Sequence, residues 1–392
     1  MSERRLTGLA ARVDALVPSP DDFRSDLRGP RTAARVGAWL GVAFGVCFLT
    51  GLYSHFLQHP VAGLPLPTGP SRLYQVTQGL HVASGTAAVP LILVKLWSVF
   101  PRLVERPPLD PRRLALHLLE RGSVLLLVGA GVFQLVTGLA NSAQWYPWSF
   151  GFISAHYAMA WVAIGSVVVH VAVKLPVVRE AFGAPLETRP ATPGAPSRRT
   201  LLRTTWLSAA VAVVATTSVG VPGLRRVAVL AVRSGEGPQG VPVNRSAVGA
   251  QVVDVIDDPG WRLRVTGPDG MVELSLEDLR AMPQREAVLP IACVEGWSAD
   301  GTWGGVSVLD VVARVGGTAQ DDVVVRSLQA RGGYRESTLP AAWVGEPDSL
   351  LALTLGGEPL HPDHGYPCRL IAPARPGVLQ TKWLGEVEVV RA

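Results

Sequence analysis

Two groups of residues in this 392-residue chain could do chemistry. The first centres on Cys293, in the run Ile291-Ala-Cys-Val-Glu-Gly-Trp-Ser298. The chain has three cysteines, Cys47, Cys293 and Cys368, with no spacing that reads as a zinc site or a disulfide framework. Cys47 lies within an apolar run and Cys368 alternates with apolar residues, so both read as packing residues. A Cys293–Cys368 disulfide stays open at this level. The second group is histidine. Six of the eight histidines (His55, His59, His81, His117, His156 and His170) fall in the apolar first half of the chain. Ionisable residues in such segments are rare and are functional candidates by default. His156 and His170 are fourteen residues apart, close to four helical turns and about 21 Å. Both therefore share one helix face at opposite depths.

The elements that must position these groups follow from composition. Hydrophobic residues make up 48% of the chain and are concentrated before residue 220. Apolar segments of spanning length occupy about 34–57, 74–100, 113–139 and 151–175, with a fifth at 201–222. Gly37, Gly41 and Gly45 suit close helix packing in lipid. Arg4, Arg5, Arg12, Arg24, Arg28, Arg31 and Arg35 lie in the N-terminal tail and at the very start of the first segment. Arg102, Arg106, Arg112 and Arg113 follow the second, and Arg179, Arg189, Arg198, Arg199 and Arg203 follow the fourth. The first connection has only Arg72 and the third has no basic residue. The bias predicts a cytoplasmic N-terminus in a cell membrane and, after five crossings, an extracytoplasmic C-terminal domain. The net charge of +5 is thus spent on topology, and nucleic-acid binding is not expected.

The predicted order is a cytoplasmic tail at 1–33, a membrane domain at 34–180 and a linker at 181–200. A fifth helix at 201–222, a second linker at 223–239 and an external domain at 240–392 complete it. Ser197-Arg-Arg-Thr-Leu-Leu-Arg203 resembles a twin-arginine export motif, which implies the twin-arginine machinery as a partner; positive-inside anchoring is the alternative reading.

In this topology His81 lies level with His156 near the outer face, and His117 level with His170 near the inner face. One bis-histidine pair per leaflet would hold two b-type haems. The arrangement resembles the four-helix di-haem b-type cytochromes that serve formate dehydrogenases and hydrogenases. The fourteen-residue pair is the carried feature, while the other two ligands are assigned from depth. His55 competes with His81. His59, beside Pro60, reads as a surface residue or a neighbour of a quinone site.

Downstream of Cys293 come His361-Pro-Asp-His-Gly-Tyr-Pro-Cys-Arg-Leu-Ile-Ala-Pro373 and Gln380-Thr-Lys-Trp-Leu-Gly385. Over residues 240–392 these blocks resemble the molybdopterin-binding domain of the sulfite oxidase superfamily. The Cys-Val-Glu-Gly-Trp-Ser wording is closest to its periplasmic methionine sulfoxide reductase branch. The resemblance implies an α+β fold, Mo-molybdopterin as cofactor and the Cys293 thiolate as a molybdenum ligand and catalytic residue. It places Asn244, Arg245, His364, Arg369, Gln380, Thr381 and Lys382 around the pterin and its phosphate. Tyr334 falls near a family active-site region, and His361 reads as structural. Sulfite oxidases carry an arginine five residues after the metal cysteine; here Ser298 stands there, so sulfite is not the expected substrate. The resemblance finds no counterpart of the immunoglobulin-like domain through which eukaryotic sulfite oxidases dimerise. Strands are expected at Trp261–Thr266, Val288–Ala292 and Val323–Leu328, and helices at Leu276–Ala281 and Val308–Val315.

The fold class expected is an all-α membrane bundle of four helices plus a signal-anchor-like fifth, joined to an α+β molybdopterin domain. The function expected is oxygen-atom transfer, with a small or protein-borne S-oxide as substrate and the quinone pool as electron partner. The alternatives are oxidation of a small sulfur compound, or a haem-only electron carrier with a non-catalytic external domain.

Overall fold

The computed structural model describes residues 23, 25–61, 63–103, 105, 107, 108, 110–186, 196–217, 224–231 and 237–391. Arg4, Arg5, Arg12, Arg24, Arg106, residues 187–195 of the first linker (Arg189 among them) and residues 218–222 of the expected fifth segment lie outside the described residues. Four helices are long and apolar enough to cross a membrane: α1 (Pro30–Gln58), α2 (Leu73–Leu103), α3 (Pro111–Ser142) and α4 (Phe152–Gly183). Each has at least 29 residues, which at 1.5 Å per residue exceeds a hydrocarbon core of about 30 Å. Their exposed residues include Leu49, Leu116, Leu119, Leu125 and Val168, as expected for lipid-facing surface. A further helix, α5 (Arg198–Thr217), forms at the expected fifth position but is not among those four.

The chain divides into two compact units. The first comprises Met1–Phe48, Ala83–Asn141 and Trp145–Val213, and the second Leu49–Val82, Ser142–Gln144 and Val214–Ala392. In the first unit α1 and α2 run antiparallel: Lys95 Nζ donates to the Ala33 carbonyl at 2.8 Å, and Cys47 Sγ lies 3.1 Å from Ser84 Oγ. Cys47 is therefore a hydrogen-bonded helix contact as well as a packing residue. Helices α3 and α4 form a second antiparallel pair through Glu120–Lys174 at 2.6 Å. Arg198 is buried: Nε donates to Thr32 Oγ1 at 3.0 Å, and its amino groups donate to the Leu186 and Asp26 carbonyls at 2.8 and 2.5 Å. Eight residues on, Trp206 meets Trp39 with ring centroids 4.6 Å apart. Helix α5 thus runs beside α1 in the same direction.

The second unit is built on two five-stranded sheets. One has the order β2 (Gly270–Leu274), β1 (Leu263–Gly267), β10 (Leu384–Val390), β5 (Asp322–Ser327), β6 (Glu336–Leu339). The parallel β1–β10 pairing joins the beginning and end of the domain. The other runs β3 (Gln284–Ala292), β4 (Ser298–Ser307), β7 (Leu350–Leu355), β8 (Glu358–Pro359), with β9 (Arg369–Ile371) also on β7. Strand β5 reads Asp-Val-Val-Val-Arg-Ser, with Val323 and Val325 fully buried, the period-two pattern of a half-buried strand. The expected helix over Leu276–Ala281 forms there, opened by a Ser275/Asp278 capping box. The expected Val308–Val315 helix is α-helical over Val308–Val312 and tightens to a 3-10 turn over Ala313–Val315. Leu263, Val306, Val311, Leu351, Cys368 and Val387 are core, joined by Leu57 of α1 and Tyr74 of α2.

Candidate functional site

Cys293 is the first residue after β3, in the turn of the β3–β4 hairpin. Its backbone N–H donates to the Trp297 carbonyl at 2.9 Å, and the Gly296 N–H to the Cys293 carbonyl at 3.0 Å. Gly296 has φ +96°, a conformation that favours glycine. A Cβ there would also lie 3.0 Å from Val82 Cγ2. The hairpin thereby holds the thiol in one place. Cys293 and Cys368 are both buried, and no disulfide joins them.

A cleft gathers the downstream blocks around that thiol. Among its lining residues are Asn244, Arg245, Cys293, His364, Arg369, Gln380, Thr381 and Lys382, together with Tyr334. They come from loops distant in sequence that the strand ends converge. Arg369 is 3% exposed and lies over the Trp303 ring at 4.9 Å. Its amino groups donate to the His364 and Gln380 carbonyls at 3.0 and 3.1 Å, while its Nε is buried with no hydrogen-bond partner. Lys382 Nζ donates to the Arg245 and Asp363 carbonyls at 2.6 and 2.9 Å. Gly365, at φ +108°, lets the two cations pack side by side, since a Cβ there would meet Lys382 Cβ at 3.0 Å and Arg369 Cβ at 3.1 Å. Among the described residues, Arg245, Arg369 and Lys382 make no ion pair with a carboxylate.

The electrostatics follow from this burial. Desolvation pushes Arg369 down to about 9 and, helped by the neighbouring Arg369 charge, Lys382 down to about 7. A buried Arg369 and a half-buried Lys382 without an anion are costly, and a bound phosphate would raise both pKa values. His364 is lowered to about 4, first by desolvation, and its Nε2 lies 2.6 Å from the Pro238 carbonyl. It is neutral at pH 7 and donates that hydrogen bond. Thr381 Oγ1 lies 2.7 Å from Ser337 Oγ, which fixes the segment beneath Lys382.

A molybdenum–pterin group fits this donor set. One thiol, an unsatisfied guanidinium nitrogen and a cation cluster without carboxylates suit a soft metal carried on a phosphate-bearing ligand. No group of three or more His, Cys, Asp or Glu among the described residues could hold a metal ion, so a protein-only metal cage is not what the cleft offers.

Ser298 does not line the cleft; its hydroxyl accepts from Gln75 Nε2 of α2 at 3.1 Å. Trp297 lines it, whereas Glu295 accepts from Trp297 Nε1 at 3.1 Å. The polar residues at the ends of α1 and α2 were not among the expected site residues. Arg72 pairs with Asp300 at 3.0 Å, Gln78 donates to the Val294 carbonyl at 3.1 Å, and Tyr334 donates to Gln58 Oε1 at 3.0 Å. Their signal was present, as glutamines inside otherwise apolar segments.

The histidines are held by a repeated device. His81 Nδ1 lies 3.2 Å from Thr50 Oγ1, and a Cβ on Gly51 would meet the His81 ring at 3.0 Å. His156 Nδ1 lies 2.9 Å from Thr137 Oγ1, and a Cβ on Gly138 would meet its ring at 3.7 Å. Each hairpin of helices thus clasps one histidine with a Thr-Gly-Leu step, Thr50–Leu52 or Thr137–Leu139. Each imidazole is thereby fixed at Nδ1 and in ring orientation. His117 and His170 are both within electrostatic reach of Glu120, and His170 also of Lys95. The His55 and His59 rings lie 4.7 Å apart, tilted by 44°.

Residues 250–392 match the family described as oxidoreductase molybdopterin binding domain. That segment is a molybdopterin-binding oxidoreductase domain of the kind sulfite oxidases carry. Over 133 residues the chain is 35% identical to the uncharacterized oxidoreductase YuiH of Bacillus subtilis, a third of this chain (33%) and 66% of that protein. It is 29% identical to mitochondrial sulfite oxidase of Mus musculus, over 34% of this chain and 30% of that one. It is also 31% identical to a protein of Azospira oryzae provisionally named protein-methionine-sulfoxide reductase subunit YedZ1, over 35% of this chain and 51% of that one. The chain therefore spans between about a third and two thirds of these relatives.

Proposed function

We propose that the chain is a membrane-anchored molybdenum-dependent oxidoreductase, with oxygen-atom transfer at the Cys293 cleft and electrons relayed through two b haems to or from the quinone pool. The observation that carries this reading is the cleft, in which a thiol fixed by a hairpin turn shares a wall with three cations that have no carboxylate ion-pair partner among the described residues. Cys293 would ligate the metal. Arg245, Arg369 and Lys382 would neutralise the pterin phosphate, and Gln380, Thr381, Asn244 and His364 would orient the pterin. The bound group would supply oxygen-atom transfer, in which an S-oxide, two electrons and two protons yield a sulfide and water.

The S-oxide reading draws on the Cys-Val-Glu-Gly-Trp-Ser wording and on the likeness to the Azospira oryzae protein. Quinol is then the electron source, and His81 with His156 and His117 with His170 are the haem ligands. Four crossings return the chain to its starting side. Helix α5, running parallel to α1, supports a fifth crossing into an extracytoplasmic C-terminal domain. We further propose export by the twin-arginine machinery, although Arg198 also has a structural role at the α1 end.

Metal and haem analysis of purified protein tests this reading. We expect about one molybdenum and two haems per chain. A chain without molybdenum overturns it.

A further inference from the structure

Tyr74, Gln78 and His81 are spaced four and three residues apart and so share one face of α2. On that face, Gln78 is 6% exposed and its Nε2 donates to the carbonyl of Val294, the residue after Cys293, at 3.1 Å. Its Oε1 accepts from Tyr74 at 3.4 Å, and Tyr74 lies 3.0 Å from Ser54 Oγ. Gln58 donates to Ser54 Oγ at 3.2 Å and accepts from the cleft residue Tyr334 at 3.0 Å. A polar chain, half-buried at Tyr334 and Gln58 and buried at Ser54, Tyr74 and Gln78, thus runs from one wall of the cleft, through the ends of α1 and α2, to the cysteine turn. One helical turn beyond Gln78 stands His81, held by Thr50, and Val82 packs against Gly296 of the same turn.

We propose that Gln78 is the electron-coupling residue between the cofactor at Cys293 and the haem at His81, through its hydrogen bond to the Val294 carbonyl. This rests on the oxidoreductase reading above. Quinol oxidation releases two electrons and two protons. The electrons pass singly from the His81 turn across the Gln78–Val294 contact to the Cys293 side. There one S-oxide takes up two electrons and two protons to give sulfide and water. The neighbouring Arg72–Asp300 pair is an exposed tether off this line.

The test uses full-length protein whose molybdenum and haem contents are measured first. Reduced wild type, Gln78→Leu, Gln78→Glu and Arg72→Met are mixed anaerobically with methionine sulfoxide, and haem oxidation is followed optically. Turnover driven by reduced viologen, which delivers electrons without the haems, is measured in parallel. Both Gln78 variants should keep their haem spectrum and viologen-driven turnover, while haem oxidation slows roughly tenfold. Arg72→Met should match wild type. Wild-type haem oxidation in both Gln78 variants overturns the proposal, as does equal slowing in Arg72→Met. A wild type with full cofactor content whose haems ignore every S-oxide overturns the wider reading instead.

Discussion

The helical half and the sheet half of this molecule hold their chemistry in opposite ways. In the sheet half, the residues of the cleft are scattered from Asn244 to Lys382 and meet only because strand ends converge. In the helical half, position along a helix sets depth, and one short clasp is used twice, Thr50-Gly51 on His81 and Thr137-Gly138 on His156. The cleft depends on side chains that several strand ends and loops bring together. The clasps are modular, so damage to one should leave the other intact.

The largest effect tests the first side of that contrast. Cys293→Ser should reduce S-oxide turnover on the order of a thousandfold or more while the haem spectrum is unchanged. A shift in the haem bands would show that the halves are not separable in this way. Modularity is tested next. His156→Ala should remove one haem and leave one, whereas Thr137→Val should keep both at first and weaken retention of one by about 10–100-fold, measured by haem titration. Loss of both haems in His156→Ala would contradict independent clasps.

Backbone sets the third effect. Gly365→Ala forces a side chain into φ +108° and against Lys382 and Arg369. It should destabilise the protein by about 1–3 kcal/mol in denaturant unfolding, with the helical half unaffected. The smallest effect is pH-dependent. His364 has its pKa lowered from 6.5 to about 4 in the folded state, so between those values the unfolded chain binds more protons. Stability should therefore fall as pH drops from about 6.5 towards 4, and His364→Asn should flatten that part of the melting-temperature profile.

The two halves also differed in what the sequence disclosed. Apolar runs gave all four long helices to within a few residues at most ends, because length and hydropathy are local properties. The longest extension is at α4, expected to 175 and observed to Gly183. Leu276–Ala281 was legible too, and the structure shows its start fixed locally by a Ser275/Asp278 capping box. The membership of the cleft was named through motifs, which carry no distances. What was not legible is non-local. Nothing in Ser298 announces that it turns towards Gln75 and away from the cleft, because that depends on where α2 begins. Gln58 and Gln78 are ordinary polar residues until the strands that meet them are known. The repeated Thr-Gly-Leu step was open to self-comparison of the sequence, but its meaning needed the facing histidines.

The central proposal is that the cleft and the helical histidines form one redox path. It is tested most directly by mixing reduced, cofactor-complete protein with methionine sulfoxide and watching the haem bands. We expect the haems of the wild type to become oxidised, with one sulfide formed per two electrons lost, and those of Cys293→Ser to stay reduced. Haems that oxidise equally in both proteins, or that stay reduced in wild type with every S-oxide offered, would contradict it.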